Sequence, residues 1–124
     1  MLPWEALAST PIASDCLLLV TGTRRSQMVV IERTPTRFAI RHPEDGAIFV
    51  TNDHVALRSN VTAAPGSLQA TSCRRCERIR ELVQLRPPAR LEDCLDYLAD
   101  DDVRMTITVQ QMAPQSGAVS LRIP

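Results

Sequence analysis

Apolar and polar positions divide the chain into three stretches of different period. Residues 16–21 (CLLLVT), 28–32 (MVVIE), 37–41 (RFAIR) and 47–51 (AIFVT) are short runs rich in β-branched residues, broken by Gly22, Pro35 and an Asp45-Gly46 turn. They predict a meander of antiparallel strands. A polar loop over 59–70 follows, and the period then becomes helical. Cys73, Cys76, Ile79 and Val83 fall on one stripe with Leu82 beside it, and Arg74, Arg75, Glu77, Arg78 and Glu81 take the other faces. This predicts a helix over about 73–85, N-capped by Thr71 or Ser72 and stopped by Pro87 and Pro88. A second helix over about 91–98 would bury Leu91, Cys94, Leu95 and Leu98, with Glu92 and Asp93 in its first turn. Residues 103–112 and 118–123 alternate as two further strands around Ser116-Gly117.

The order of strands, two helices, strands predicts an α+β fold: one antiparallel sheet of five or six strands with both helices on a single face. Runs such as LLLV and MVVI look buried on both sides, and two helices cover only one face of such a sheet. The other face therefore calls for a cover, either a second copy of the chain or further polypeptide.

Composition narrows the function. With 124 residues, 44% hydrophobic and 23% charged, the chain has the size and balance of one ordinary domain over 1–124. A formal net charge of zero and 3% aromatics argue against nucleic acid as a partner. The N-terminal stretch has no basic leader, and its apolar run over 16–20 is too short to cross a bilayer, so a soluble, cytoplasmic protein without membrane association is expected. The four cysteines are then expected as reduced thiols.

The Cys73–Cys76 spacing suggests zinc or thiol chemistry, but a structural zinc needs four ligands, and one pair with a distant Cys94 and two isolated histidines does not supply them. Both sulfurs lie on the apolar stripe, so burial and packing are the expected roles. The acidic run at 100–102 lacks the alternating spacing of a calcium loop and is read as a solvated turn. No metal or other cofactor is expected. His42, next to Pro43, should face solvent. Thr51, Asn52, Asp53 and His54, at the end of an apolar run, stand where a sheet edge presents polar groups to a ligand; locally they also read as a turn stabilised by Asn and Asp side chains.

Taken together, GAIFVTNDHVAL, SCRRCERIREL and LEDCLDYLADDDVRMTITVQQM resemble the C-terminal part of cysteine N-terminal-nucleophile (Ntn) hydrolases, the group of acid ceramidase, N-acylethanolamine acid amidase and isopenicillin-N acyltransferases. In that group a hydrophobic strand ends in Thr-Asn, an Arg-bearing helix follows, and a second helix leads into a Thr-rich strand, here over 105–109. The resemblance implies half of an αββα sandwich belonging to a larger domain, and cleavage or transfer at a linear amide through an acyl-cysteine. It makes Asn52 the side-chain donor of an oxyanion hole and Arg74 an ordering or charge-pairing residue; Asp53 and His54, at the same strand end, are expected to be substrate-binding. It also implies a partner, the N-terminal half of the enzyme or a second copy covering the open sheet face, and a small acyl-amide substrate.

The chain departs from the group's pattern in having Asp53 before His54 and Ser72-Cys73 before the Arg pair. The segment with the nucleophilic cysteine and its downstream Arg and Asp has no counterpart. Cys16 opens a strand as such a cysteine would, but Leu17 follows it instead of a small hydroxyl residue, and a buried strand cysteine is the expected reading. The isolated chain is therefore expected to be inactive. A noncatalytic binding module that uses its free sheet face, and a small thiol or zinc protein, are the alternatives.

Overall fold

A computed structural model describes residues 2–24, 26–58, 62–104, 109–113 and 117–122. Three strands form a meander: β1 (Cys16–Thr21), β2 (Met28–Arg33) and β3 (Phe38–Arg41), all antiparallel with β2 in the centre. Cys16 pairs with Arg33, Leu18 with Ile31, and Ile31 in turn with Ile40. β2 is buried on both faces from Val29 to Arg33, as its continuous apolar run predicts.

The face that carries Leu18, Val20, Val29, Ile31 and Ile40 is covered by α1 (Pro3–Ser9), which inserts Ala8 and packs Trp4 against it. The sequence pattern assigned no element to this stretch. Seven residues are too few for a helix to persist alone, so tertiary contacts hold it. Pro3 starts it, the Glu5 carboxylate reaches back to the Leu2 N–H at 2.6 Å, and Arg33 donates to the carbonyls of Leu7 and of Thr10, the latter at 2.6 Å. A cation at the carbonyl end of a short helix also meets its dipole favourably.

Two longer elements follow. α2 (Leu68–Leu85) starts earlier than its apolar period suggests, because Ser67 rather than Thr71 or Ser72 caps it, accepting the Ala70 N–H at 3.3 Å. α3 (Asp93–Ala99) packs on α2 and on β4 (Val109–Ala113), which pairs with β5 (Ala118–Arg122). Leu95 and Tyr97 are the buried residues of α3, whereas Leu91 and Leu98 are exposed. The Tyr97 hydroxyl donates to the Arg86 carbonyl, and the Arg86 guanidinium lies over the Tyr97 ring. The acidic turn is tied down: Asp100 pairs with Arg78 at 3.1 Å, and Asp101 with Arg104 at 2.9 Å.

The expected single sheet of five or six strands, half of an αββα sandwich, is thus not what forms. Among the described residues the main sheet has three strands, and β4 and β5 pair apart from it. The loss begins at residues 47–51, the expected fourth strand. The Asp45-Gly46 turn forms as expected, with φ of 49° and 76° and both Glu44–Ala47 backbone bonds made. Beyond Ala47 no ladder continues. Pro43 removes a donor from the strand end that would be its partner, and the Arg41 guanidinium takes the Phe49 carbonyl instead, at 3.0 Å. Residues 105–108, Ser116 and Ile123, parts of the expected C-terminal strands and turn, lie outside the described residues. No helix among the described residues is long and apolar enough to cross a membrane.

Candidate functional site

Residues 47–57 form an irregular segment held from two sides by side chains. On the sheet side stands Glu32, fully buried, whose carboxylate accepts the N–H groups of Val55, Ala56 and Leu57, each at 2.8 Å, and pairs with Arg41 Nε at 2.8 Å. An ionised carboxylate withdrawn from water needs such saturation by donors and an opposite charge. Glu32 lies on the sheet face of Val30, opposite the face that α1 covers.

On the helix side, the segment docks on the N-terminal half of α2. The buried Ser72 hydroxyl accepts the Asn52 backbone N–H at 2.7 Å, stands 2.7 Å from Thr51 Oγ1 and also contacts Asp53 Oδ1. Thr51 donates to the Ser72 carbonyl at 3.1 Å. Arg75 Nη2 then donates to Asn52 Oδ1 at 2.6 Å and to the Leu68 carbonyl at 2.8 Å, while its Nε donates to Thr71 Oγ1 at 3.1 Å.

The contact between Arg75 and Asn52 fixes the chemistry of the amide. A guanidinium has only donors, so the atom facing it must be the amide oxygen. The Nδ2 protons are then left for whatever binds at Asn52, which is exposed and lines a broad cleft of about 1240 Å³. Arg75 is 6% exposed, and among the described residues its partners are all neutral, with no carboxylate in ion-pair range. Among the described residues no opposite charge offsets it, and the guanidinium polarises the amide through Oδ1. A donor backed by a buried cation suits an anionic ligand or transition state.

Asn52, Asp53 and His54 all line this cleft, together with Cys16, Arg58 and Cys73. Arg74 does not join them: it is exposed on α2, and its neighbour Arg75 holds Asn52. The apolar stripe assigned to α2 is displaced as well. Its buried residues are Ser72, Arg75 and Ile79, whereas Cys73 is exposed and Cys76 half-buried, contrary to the expected burial of both thiols. The N-terminal half of α2 meets a polar loop rather than a hydrophobic core, so its inward positions are polar. His54 is partly buried and its Nε2 is enclosed without a hydrogen-bond partner among the described residues.

Two of the thiols, Cys73 and Cys94, are pushed toward their neutral forms. Cys73 Sγ donates to Asp53 Oδ2 at 3.4 Å, and this hydrogen bond and the Asp53 charge push the thiol pKa up. Burial, with Asp93 nearby, pushes up that of Cys94. Cys16 touches the cleft only at the start of its strand. Its pairing with Arg33, which reaches to α1, puts its side chain on the α1 face, whereas the Asn52 loop lies against the other. Among the described residues no group of three or more His, Cys, Asp or Glu is placed to hold a metal ion.

Sequence reasoning missed Glu32, Ser72 and Arg75. A lone Glu in the run MVVIE was the available signal, since a carboxylate inside a doubly buried strand must have partners; the Ser–x–x–Arg spacing was the other, since it sets both side chains on one helix face. No protein-family model, curated protein or solved structure matches the chain.

Proposed function

We propose that this chain supplies the oxyanion-binding part of a linear-amide C–N hydrolase or acyltransferase that works through an acyl-cysteine, with the attacking cysteine delivered to the cleft by another segment or chain. The observation that carries the reading is the Asn52 amide, whose oxygen is held by Arg75 in a residue that lines the cleft, which leaves Nδ2 as the group that can donate to a ligand. When a thiolate adds to an amide carbonyl, negative charge gathers on the oxygen. A fixed N–H donor at that point stabilises the transition state more than the substrate, by about 3 to 4 kcal/mol in comparable sites. The C–N bond then breaks, the amine leaves with a proton from a general acid, and water or a second amine takes the acyl group from the sulfur.

The supplied cysteine is part of the proposal because three of this chain's thiols are ill placed: Cys16 borders the cleft but projects from the α1 face of the sheet, Cys73 is held by Asp53, and Cys94 is pushed toward its neutral form. With α1 already on one sheet face, the partner's point of attachment is the cleft rather than that face. Asp53 and His54 would border the acyl-amide substrate there. The reading goes with a cytoplasmic setting, in which the four cysteines stay reduced.

Steady-state kinetics on a chromogenic linear amide test it. The 124-residue chain alone should show negligible turnover. Once the cysteine-bearing partner is supplied, Asn52→Ala should lower kcat by about 10²–10³ with little change in KM. Robust turnover by the chain alone that vanishes in Cys16→Ala would make Cys16 the nucleophile, and an unaffected Asn52→Ala enzyme would remove the oxyanion assignment.

A further inference from the structure

Three consecutive backbone N–H groups that converge on one point make an anion nest, a cradle for phosphate or carboxylate in many proteins. Here the nest is built by Val55, Ala56 and Leu57, the guanidinium of Arg41 closes it, and the occupant is the protein's own Glu32. Both carboxylate oxygens are used: Oε1 meets Val55 and Arg41, and Oε2 meets Ala56 and Leu57. The loop gains little from strand pairing over these residues, which belong to no ladder. Its path is therefore set by a charge at its concave side, and Asn52 lies only three residues upstream of the first nest amide.

We infer that Glu32 is the positioning residue of the Asn52 loop, and that the nest it fills is a carboxylate site that accepts a small external carboxylate when the side chain is cut back. The inference does not rest on the amide-hydrolase reading, since it concerns which group folds the loop and not what the loop acts on. It separates Glu32 from an ordinary core residue. Truncating a core residue leaves a cavity that an anion does not refill, whereas truncating Glu32 leaves three converging N–H donors and the Arg41 cation, for which formate has the right charge and two acceptor oxygens.

The test uses the full chain, ¹⁵N-labelled, as wild type, Glu32→Ala and Glu32→Gln, titrated with sodium formate against sodium chloride at matched ionic strength. In Glu32→Ala the amide resonances of Val55, Ala56 and Leu57 and the side-chain NH₂ of Asn52 should leave their wild-type positions. Formate should bring all four back along a saturable curve, chloride should not, and the wild type should respond to neither. Adding Arg41→Gln should weaken the formate response by about tenfold, the loss expected for one charge-assisted contact. Resonances unchanged by Glu32→Ala, or a formate effect no greater than that of chloride, would overturn the inference. Should Glu32→Ala not fold, Glu32→Gln decides: it keeps the shape but turns a donor toward the nest. At least one of the three amides should then exchange with solvent about tenfold faster while the Ile31 amide is unchanged. Exchange unchanged from the wild type at all three would overturn it as well.

Discussion

In the β1–β3 sheet the backbone bonds to backbone, residue by residue along the Cys16–Arg33 and Val30–Arg41 registers. In the 47–57 segment lying against it, the same polar groups end on side chains: Phe49 O on Arg41, Asn52 N on Ser72, and the amides of 55–57 on Glu32. The first arrangement tolerates almost any apolar residue of suitable size. The second depends on particular functional groups, and removing one leaves several backbone donors without their acceptor at once. The candidate site sits in the second. Its geometry is thus set by a handful of polar residues remote from one another in sequence, on a scaffold that could be repacked without disturbing it.

Substitutions can break or sharpen this contrast. The largest effect is expected for Glu32→Ala, which leaves three amides and the Arg41 charge without their acceptor. Urea unfolding should show a loss of about 3 to 5 kcal/mol. The matching change one residue earlier in the same strand, Ile31→Val, should cost only about 0.5 to 1.5 kcal/mol although Ile31 is equally buried. If the two variants were equally stable, the contrast would be lost.

Next in size is Ser72→Ala, expected to cost about 1 to 3 kcal/mol because the Asn52 N–H and Thr51 lose a buried partner. Native-state hydrogen exchange should show opening confined to residues 51–57, with the sheet amides still protected. Exchange raised uniformly over both regions would show that they are one cooperative unit.

A smaller effect, and one outside both regions, concerns acid. The carboxyl of Asp93, which accepts the N–H groups of Arg90 and Ala89, and that of Asp100, bonded to Arg78, are both held below the usual carboxylate range. Groups with depressed folded values add stability that is full above about pH 4, the unfolded value, and disappears as pH falls through the folded ones. The urea midpoint should therefore drop on going from pH 6 to pH 3, and less so in Asp93→Asn. An identical drop in that variant would contradict the assignment.

The smallest expected effect is chemical. Because Asp53 raises its pKa, Cys73 should be alkylated at pH 8 more slowly than a free cysteine despite its exposure, and Asp53→Asn should speed it. The sign follows from the charged form being the one disfavoured, so the contribution to stability is present below the unfolded thiol value and lost as pH rises through the folded one. A slower reaction in Asp53→Asn would show that the carboxylate does not act on the thiol.

The same contrast explains what could be read from the sequence. β1, β2 and the Asp45-Gly46 turn are local patterns and were legible nearly to the residue. α2 was legible as a helix, but its orientation was not. Hydrophobicity places Cys73 and Cys76 inward, and the helix instead turns Ser72 and Arg75 inward because its neighbour there is a polar loop. That loop was read as a fourth strand since AIFVT has strand composition, and nothing local announces that Glu32, some 23 residues before Val55, will claim its amides. Asn52 was legible as a polar position at the end of an apolar run, while which of Arg74 and Arg75 meets it needed the helix rotation. α1 was invisible for a related reason, since its stability comes from Arg33 and the sheet rather than from its own seven residues.

The account rests above all on the direction of one amide, with Asn52 Oδ1 held by Arg75 and Nδ2 left to donate to a ligand. Titration of the ¹⁵N-labelled chain with a short alkyl phosphonate, a tetrahedral anion of the kind an oxyanion donor should accept, reads that direction through the Asn52 side-chain resonances. The account predicts a saturable downfield shift of an Asn52 Nδ2 proton, abolished in Arg75→Met while the sheet resonances stay in place. An Nδ2 pair indifferent to the phosphonate, or a shift that survives Arg75→Met unchanged, would contradict it.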